Sequence, residues 1–230
     1  MVDEHIIEQE IAQVRAYWQD HQEEVAWAAQ TVFMGYVEPA YLTEPDAPLD
    51  EGALLPLFAE WALFEFPYFA GKTPFEHFVR HHVAGKPHLS PETQERLTAI
   101  ADTQFFSRFE ILGKDTERLI CTLRDVCDNA RYAVYDPYLC SVERWNTGTI
   151  AERIARVDGM WRGIGRVHLY DRAPHEATDE DGPGMFHPED RTRKPEGAYL
   201  GFYLRLVRDI AGREGRYRAG ATYGVAQAMP

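Results

Sequence analysis

Apolar residues recur at helical spacing through the first 104 residues of the chain. Ile7, Ile11, Val14 and Trp18 form one stripe and Val25, Ala29 and Val32 continue it, so residues 3 to 33 predict one long amphipathic helix or two in sequence. Gly35, Pro39, Pro45 and Pro48 then break the pattern, and a connector is expected because proline lacks the amide donor that a continuing helix needs. Leu54, Leu55, Phe58, Trp61 and Ala62 restore helical spacing from Asp50 to Phe66, with Pro67 as the stop. Thr73-Pro74-Phe75-Glu76 combines an N-cap threonine, a first-turn proline and the glutamate of a capping box, which predicts a helix from Pro74. Its apolar face is Phe75, Phe78, Val79 and His82, and Gly85 and Pro87 end it. Ser90-Pro91-Glu92 opens another helix by the same chemistry, with Leu97, Ile100 and Ala101 facing inward.

Beyond residue 104 the period shortens. The runs 106–112, 118–123, 130–135, 149–157 and 161–169 are enriched in β-branched and aromatic residues and read as five strands. Gly113-Lys114-Asp115, Asp128-Asn129, Asn146-Thr147-Gly148 and Asp158-Gly159 separate them with turn chemistry, and Asp158-Gly159 is the best hairpin signal. The polar segment 173–197, rich in Pro and Gly, predicts a surface loop. Tyr199, Tyr203, Leu206, Val207 and Ile210 predict a helix over 198–210, followed by a loosely held tail. The fold class is therefore α+β. A predominantly helical region over 1–104 precedes a small five-stranded β-barrel or curved antiparallel sheet over 105–172; the loop 173–197 follows, and a C-terminal helix and tail fill 198–230.

Composition narrows the function classes. No stretch approaches the roughly 20 apolar residues of a membrane span, the longest being interrupted by Glu60, Glu65 and Pro67. The acidic start Met1-Val2-Asp3-Glu4 lacks the basic region of a signal peptide, and a cytoplasmic location is expected. Cys121, Cys127 and Cys140 are an odd count without CxxC spacing, so buried thiols are expected in place of a disulfide framework or zinc knuckle. The net charge of -13 disfavours indiscriminate nucleic-acid binding. The charge is uneven: residues 1–110 hold 19 acidic and 6 basic side chains, whereas 191–218 hold 8 basic and 3 acidic.

Three pieces in order, Trp61-Ala62-Leu63-Phe64-Glu65-Phe66, Gly71-Lys72-Thr73-Pro74-Phe75-Glu76 and Ser107-Arg108-Phe109-Glu110-Ile111-Leu112 leading to Leu123-Arg124-Asp125, resemble uncharacterised bacterial proteins that often carry a SEC-C zinc motif. The resemblance spans roughly residues 55 to 170 and implies the layout alone. This chain has no cysteine after Cys140, so the zinc site of the SEC-C element is not carried over.

Candidate chemistry is sparse. His77 and His81 stand four apart on the predicted helix, a spacing that can aim two imidazoles at one metal, but they lie opposite the apolar stripe and outside any HExxH order, so solvated surface histidines are the simpler reading. The acidic segment Asp179-Glu180-Asp181-Gly182 fails the EF-hand pattern, with Ala177 and Pro188 at its first and last ligand positions. Gly163-Ile164-Gly165 lacks the third glycine and the context of a dinucleotide fold, and no phosphate loop or GxSxG elbow is present. Trp145, Trp161, Arg162 and Arg166 are the candidate binding residues, since aromatic and arginine side chains on barrels of the OB and SH3-like kinds can stack on bases or anchor a peptide. Strand alternation places Trp161 toward the core and Arg162 and Arg166 toward solvent. No catalytic residue and no cofactor is nominated. The expected function is a non-catalytic binding or adaptor module with a protein or nucleic-acid partner, the alternatives being a metal-dependent hydrolase built on the histidine and carboxylate clusters and a nucleic-acid-associated accessory protein using the basic C-terminal helix.

Overall fold

A computed structural model describes residues 4–21, 23–43, 51–143, 146–169, 201–212 and 224–226. Helices α1 (Glu4–His21) and α2 (Glu23–Met34) divide the first apolar stripe, and a short 3-10 helix (Pro39–Thr43) occupies the proline-rich connector. Helices α3 (Glu51–Phe64), α4 (Pro74–Arg80) and α5 (Pro91–Thr103) follow. The capping box of α4 is complete: Glu76 N donates to Thr73 Oγ1 at 3.2 Å, and Thr73 N donates to Glu76 Oε2 at 2.9 Å. Ser90 caps α5 through Thr93 N. His82 lies beyond the end of α4 and is exposed, so the apolar face of that helix stops at Val79.

Strands β1 (Phe105–Asp115), β2 (Ile120–Asp125), β3 (Arg131–Tyr135), β4 (Thr149–Val157), β5 (Met160–Gly163), β6 (Val167–Leu169) and β7 (Gly224–Ala226) form a sheet in the order β1-β2-β3-β5-β4-β6-β7. An added β1–β4 pairing turns five of them into a ring, β1-β2-β3-β5-β4. The sheet is mixed and not wholly antiparallel, because β3 and β5 pair in parallel. That seam is short: only Val134 with Trp161 and Tyr135 with Arg162 are in register, so the ring is nearly closed and opens beyond them. Asp158 (φ 52°) and Gly159 (φ 77°) both adopt the left-handed conformation between β4 and β5, as a two-residue hairpin of primed type requires. The predicted strand over 161–169 is two strands, since the chain leaves β5 after Gly163 and re-enters the sheet at Val167. A helical turn, α6 (Pro137–Ser141), follows β3 with Asp136 as its N-cap and Pro137 in its first turn. The last helix, α7 (Phe202–Ala211), is preceded by Gly201. The predicted loop 173–197, the start of the C-terminal helix at 198 and most of the tail lie outside the described residues.

Strand β4 joins three apolar cores. Ile150 and Ile154 point into the ring with Phe109, Ile111, Leu123 and Val134, and Leu139 and Cys140 of α6 add to the same cluster. On its other face, Ala155 and Val157 meet Val14, Phe75, Phe78, Leu97 and Ile100, while Ala151 packs with Phe33, Trp61, Phe106, Tyr203 and Leu206. Cys121 and Cys140 are buried as expected, but Cys127 is exposed. Among the described residues no helix is long and apolar enough to cross a membrane.

One buried titratable group sets a pH response. Burial, reinforced by the Arg166 and Arg153 charges, pushes His168 down to about 3. An unfolded histidine takes a proton below roughly 6.5, and the folded one refuses it until far lower pH, so this side chain withdraws stability as pH falls from about 6.5 toward 3. Asp136, which burial raises, acts with the opposite sign. The comparison of the wild type with His168→Phe isolates the histidine: urea unfolding at pH 7 and pH 5 should show the wild type losing about 2 kcal/mol more than the variant.

Candidate functional site

Past Tyr135 and Arg162 the ring opens onto a cavity of about 80 Å³, lined by Tyr135, Asp136, Tyr138, Glu152, Arg162 and Gly163 and covered on one side by Ile7, Glu8 and Ile11 of α1. Three strand-level facts bring these groups together. Period-two alternation on β4 puts Glu152 on the same face as Ile150 and Ile154, so a carboxyl group points into the ring, where it is fully buried. Asp136 leaves β3 at the seam, and its Oδ1 accepts Leu139 N at 2.6 Å to cap α6. Gly163 sits opposite Ile154 in the β4–β5 ladder. A Cβ there would collide with the Glu152 carboxyl group and come within 3.0 Å of Asp136 Oδ2, so the absent side chain is the space the two acids occupy.

The Asp136 and Glu152 side chains hydrogen-bond each other. Burial raises the Asp136 pKa, and the Glu152 hydrogen bond, the Leu139 amide and the Lys114 charge only partly offset it. Two carboxyl groups brought together out of water disfavour the doubly charged state. Lys114 is engaged nearby, with Nζ donating to the carbonyls of Leu139 at 2.5 Å and Val142 at 3.0 Å.

Arg162 enters the cavity from the outer face of the ring. It is 3% exposed, and its guanidinium lies over the Tyr135 ring at 4.9 Å. Its Nε and Nη1 are buried without a hydrogen-bond partner among the described residues. A second buried arginine, on the neighbouring strand, shows the ordinary arrangement. Arg153 donates through Nε to Glu60 Oε1 at 3.3 Å, through Nη2 to Glu65 Oε1 at 2.6 Å and through Nη1 to Gln104. Burial alone would lower its pKa, but the Glu65 and Glu60 charges outweigh burial and hold it above the usual arginine value.

Of the residues nominated from sequence, only Arg162 reaches this cavity. The face it shares is not solvent, as alternation suggested, because α1 roofs it. Trp161 lies on the opposite, inward face as expected, against Phe105 and Tyr132 with ring centroids 5.9 and 5.0 Å away. Arg166 falls in the link between β5 and β6, where its backbone N–H donates to Glu60 Oε2 at 3.1 Å. Trp145 lies outside the described residues. His77 is half-buried and not a solvated surface group: it stacks on Phe69 at 3.9 Å, and its pKa is lowered by burial and then by the His81 and Lys72 charges. His81 is just past the end of α4, with Lys72 Nζ 3.2 Å from its Nε2, on the lone pair a metal would need. No three potential metal ligands gather among the described residues. A largely apolar cleft between α1, α2 and α3 is lined by Val25, Phe58 and Leu63, with Arg15 and Gln19 at its wall, and Arg15 Nε is likewise buried without a hydrogen-bond partner among the described residues.

Sequence reasoning passes over Asp136 and Glu152, although both leave a trace. Asp136-Pro137 directly after a strand is a helix-start signal, and Ile150-x-Glu152-x-Ile154 puts an acid between two core positions. No protein-family model, no curated protein and no solved structure matches this chain.

Proposed function

We propose that this protein is a non-catalytic binding module whose ligand enters the seam between β3 and β5. Arg162 carries this reading: a buried guanidinium that has hydrogen-bond donors without acceptors, at the wall of a cavity, in a chain that satisfies Arg153 fully one strand away. Leaving such a cation short of partners costs stability, and groups of this kind persist where a ligand completes them. Five-stranded, partly open barrels of the OB kind serve as ligand-binding modules, a likeness of architecture that lends a prior and no site residues. The resemblance to SEC-C-associated proteins names no activity, so the reading rests on the seam.

The two alternatives receive less support. A metal-dependent hydrolase needs a gathered ligand set, whereas His77 of α4 stacks on Phe69 and His81, just past the helix end, meets Lys72. A nucleic-acid surface on the C-terminal helix needs outward basic groups, whereas Arg205 is 8% exposed and Arg208 pairs with Asp209 at 2.9 Å.

The test is a nitrogen-15 NMR titration of the full chain with acetate, acetamide, methylammonium and phosphate, each added alone. At least one fragment should shift the Arg162 Nε–Hε resonance and the amides of Asp136 and Gly163 saturably. Binding by none of the four contradicts a ligand site at the seam.

A further inference from the structure

We infer that Cys121 and Cys140 are a redox pair that a hydroperoxide closes to a disulfide, stapling α6 to β2. The inference goes beyond the reading of the seam and does not depend on it. The two Sγ atoms stand 3.4 Å apart, and both side chains are buried in the core of the ring. A disulfide holds its sulfurs at about 2.0 Å, so roughly 1.4 Å of approach separates the two states. The backbone of Cys121 is fixed, because it sits within the sheet opposite Lys114 of β1 on one side and Val134 of β3 on the other. Cys140 supplies the movement, since α6 is a single turn of five residues.

Packing alone accounts for a buried cysteine, which behaves as a small apolar side chain. Two further observations single out this pair: sulfur faces sulfur across two elements, and a cation stands beside them. Lys114 Nζ donates to the carbonyls of Leu139 at 2.5 Å and Val142 at 3.0 Å, on either side of Cys140 in the chain. Its charge favours the thiolate, the form that attacks, and works against the burial that raises both thiols. Cys140, 4% exposed against 0% for Cys121, is the one a small oxidant meets first.

The chemistry balances with a hydroperoxide as the oxidant. The Cys140 thiolate attacks one peroxide oxygen, the O–O bond breaks, and a sulfenic acid forms while hydrogen peroxide gives up one water. The Cys121 sulfur then attacks the sulfenic sulfur, the S–O bond breaks as the S–S bond forms, and a second water leaves with the Cys121 proton. Two thiols lose two electrons and two protons, and the peroxide becomes two waters. Asp136 and Tyr138, which line the seam cavity, cap and build the same turn, so the redox state of the pair reaches that wall.

The test uses the full chain carrying Cys127→Ser, which removes the exposed third thiol and leaves only the pair. The folded protein is treated with excess hydrogen peroxide, unfolded, alkylated with iodoacetamide and digested with trypsin without reductant. The peptides 119–124 and 132–144 should be recovered joined, lighter by two hydrogens than their sum, from protein that runs as a single chain in non-reducing electrophoresis. The bond closes a loop between residues 19 apart, so Tm should rise by roughly 5–10 °C and return when dithiothreitol is added. Alkylation of both cysteines, a sulfinic acid at either without the joined peptides, or joining only between chains overturns the redox pair. A cross-link within the chain that fails to raise Tm overturns the staple.

Discussion

Replacing Arg153 by alanine is expected to destabilise the protein by about 3–5 kcal/mol, which for a chain of this size lowers Tm by roughly 10 °C. The side chain is fully buried and ties two helical regions to β4 through three residues: Glu60 and Glu65 of the α3 region and Gln104 at the end of α5. Its guanidinium also lies 4.8 Å from the Phe64 ring and 5.6 Å from that of Phe106. Truncation leaves a carboxylate at Glu60 that is nearly buried and has lost its counter-charge, and the loss of an ion-pair partner in that setting outweighs the loss of packing. Arg153→Lys should recover only part of the stability, because an ammonium cannot reach three separated acceptors with a planar fork. Equal stability of the alanine variant and the wild type in urea would show that Arg153 does not hold the helices to the ring.

Gly163→Ala carries the second large effect, a loss of about 1–3 kcal/mol, the range seen when atoms are forced into a packed site. The added methyl group would enter the volume of the Glu152 carboxyl group beside Asp136. The cause is specific and a double-mutant cycle exposes it. In a Glu152→Ala background the closest obstruction is gone and only Asp136 Oδ2 at 3.0 Å remains, so adding Gly163→Ala should cost less, with a coupling of about 1 kcal/mol or more between the two positions. Additive effects would place the penalty in the backbone of β5 and remove the close approach as its cause.

The helical half of the fold is legible because each helix buries one stripe and keeps its start signal local. Thr73 and Glu76, three residues apart, complete their box with no help from the rest of the chain. The strands are legible as elements for a similar reason, and Asp158-Gly159 fixes one hairpin outright. What the local pattern does not carry is the partner on the far side. The alternation of Trp161 and Arg162 is correct, yet the outer face of β5 meets α1 more than 140 residues earlier in the chain, so a position read as solvent is a wall. The parallel β3–β5 closure rests on two residue pairs and has no hairpin to announce it. In β4, Arg153 and Glu152 are both buried on opposite faces, and a strand buried on both sides loses the contrast from which burial is inferred. The candidate site was legible to the extent of Arg162, and its acidic half required knowing that the ring opens just where Asp136 and Gly163 stand.

Arg162 keeps Nε and Nη1 without acceptors, in the proposed reading for the sake of a ligand, and the stability of Arg162→Met measures that most directly. Methionine keeps much of the length of the side chain, removes the charge and retains contact with Tyr135, so a guanidinium that gains little within the chain is replaced by an apolar group suited to the site. Urea unfolding of the ligand-free full chain should show the variant more stable than the wild type by about 1–3 kcal/mol with an unchanged m value. A variant less stable than the wild type by a similar margin would mean that Arg162 supports the fold, and would contradict the assignment of the seam as a binding site.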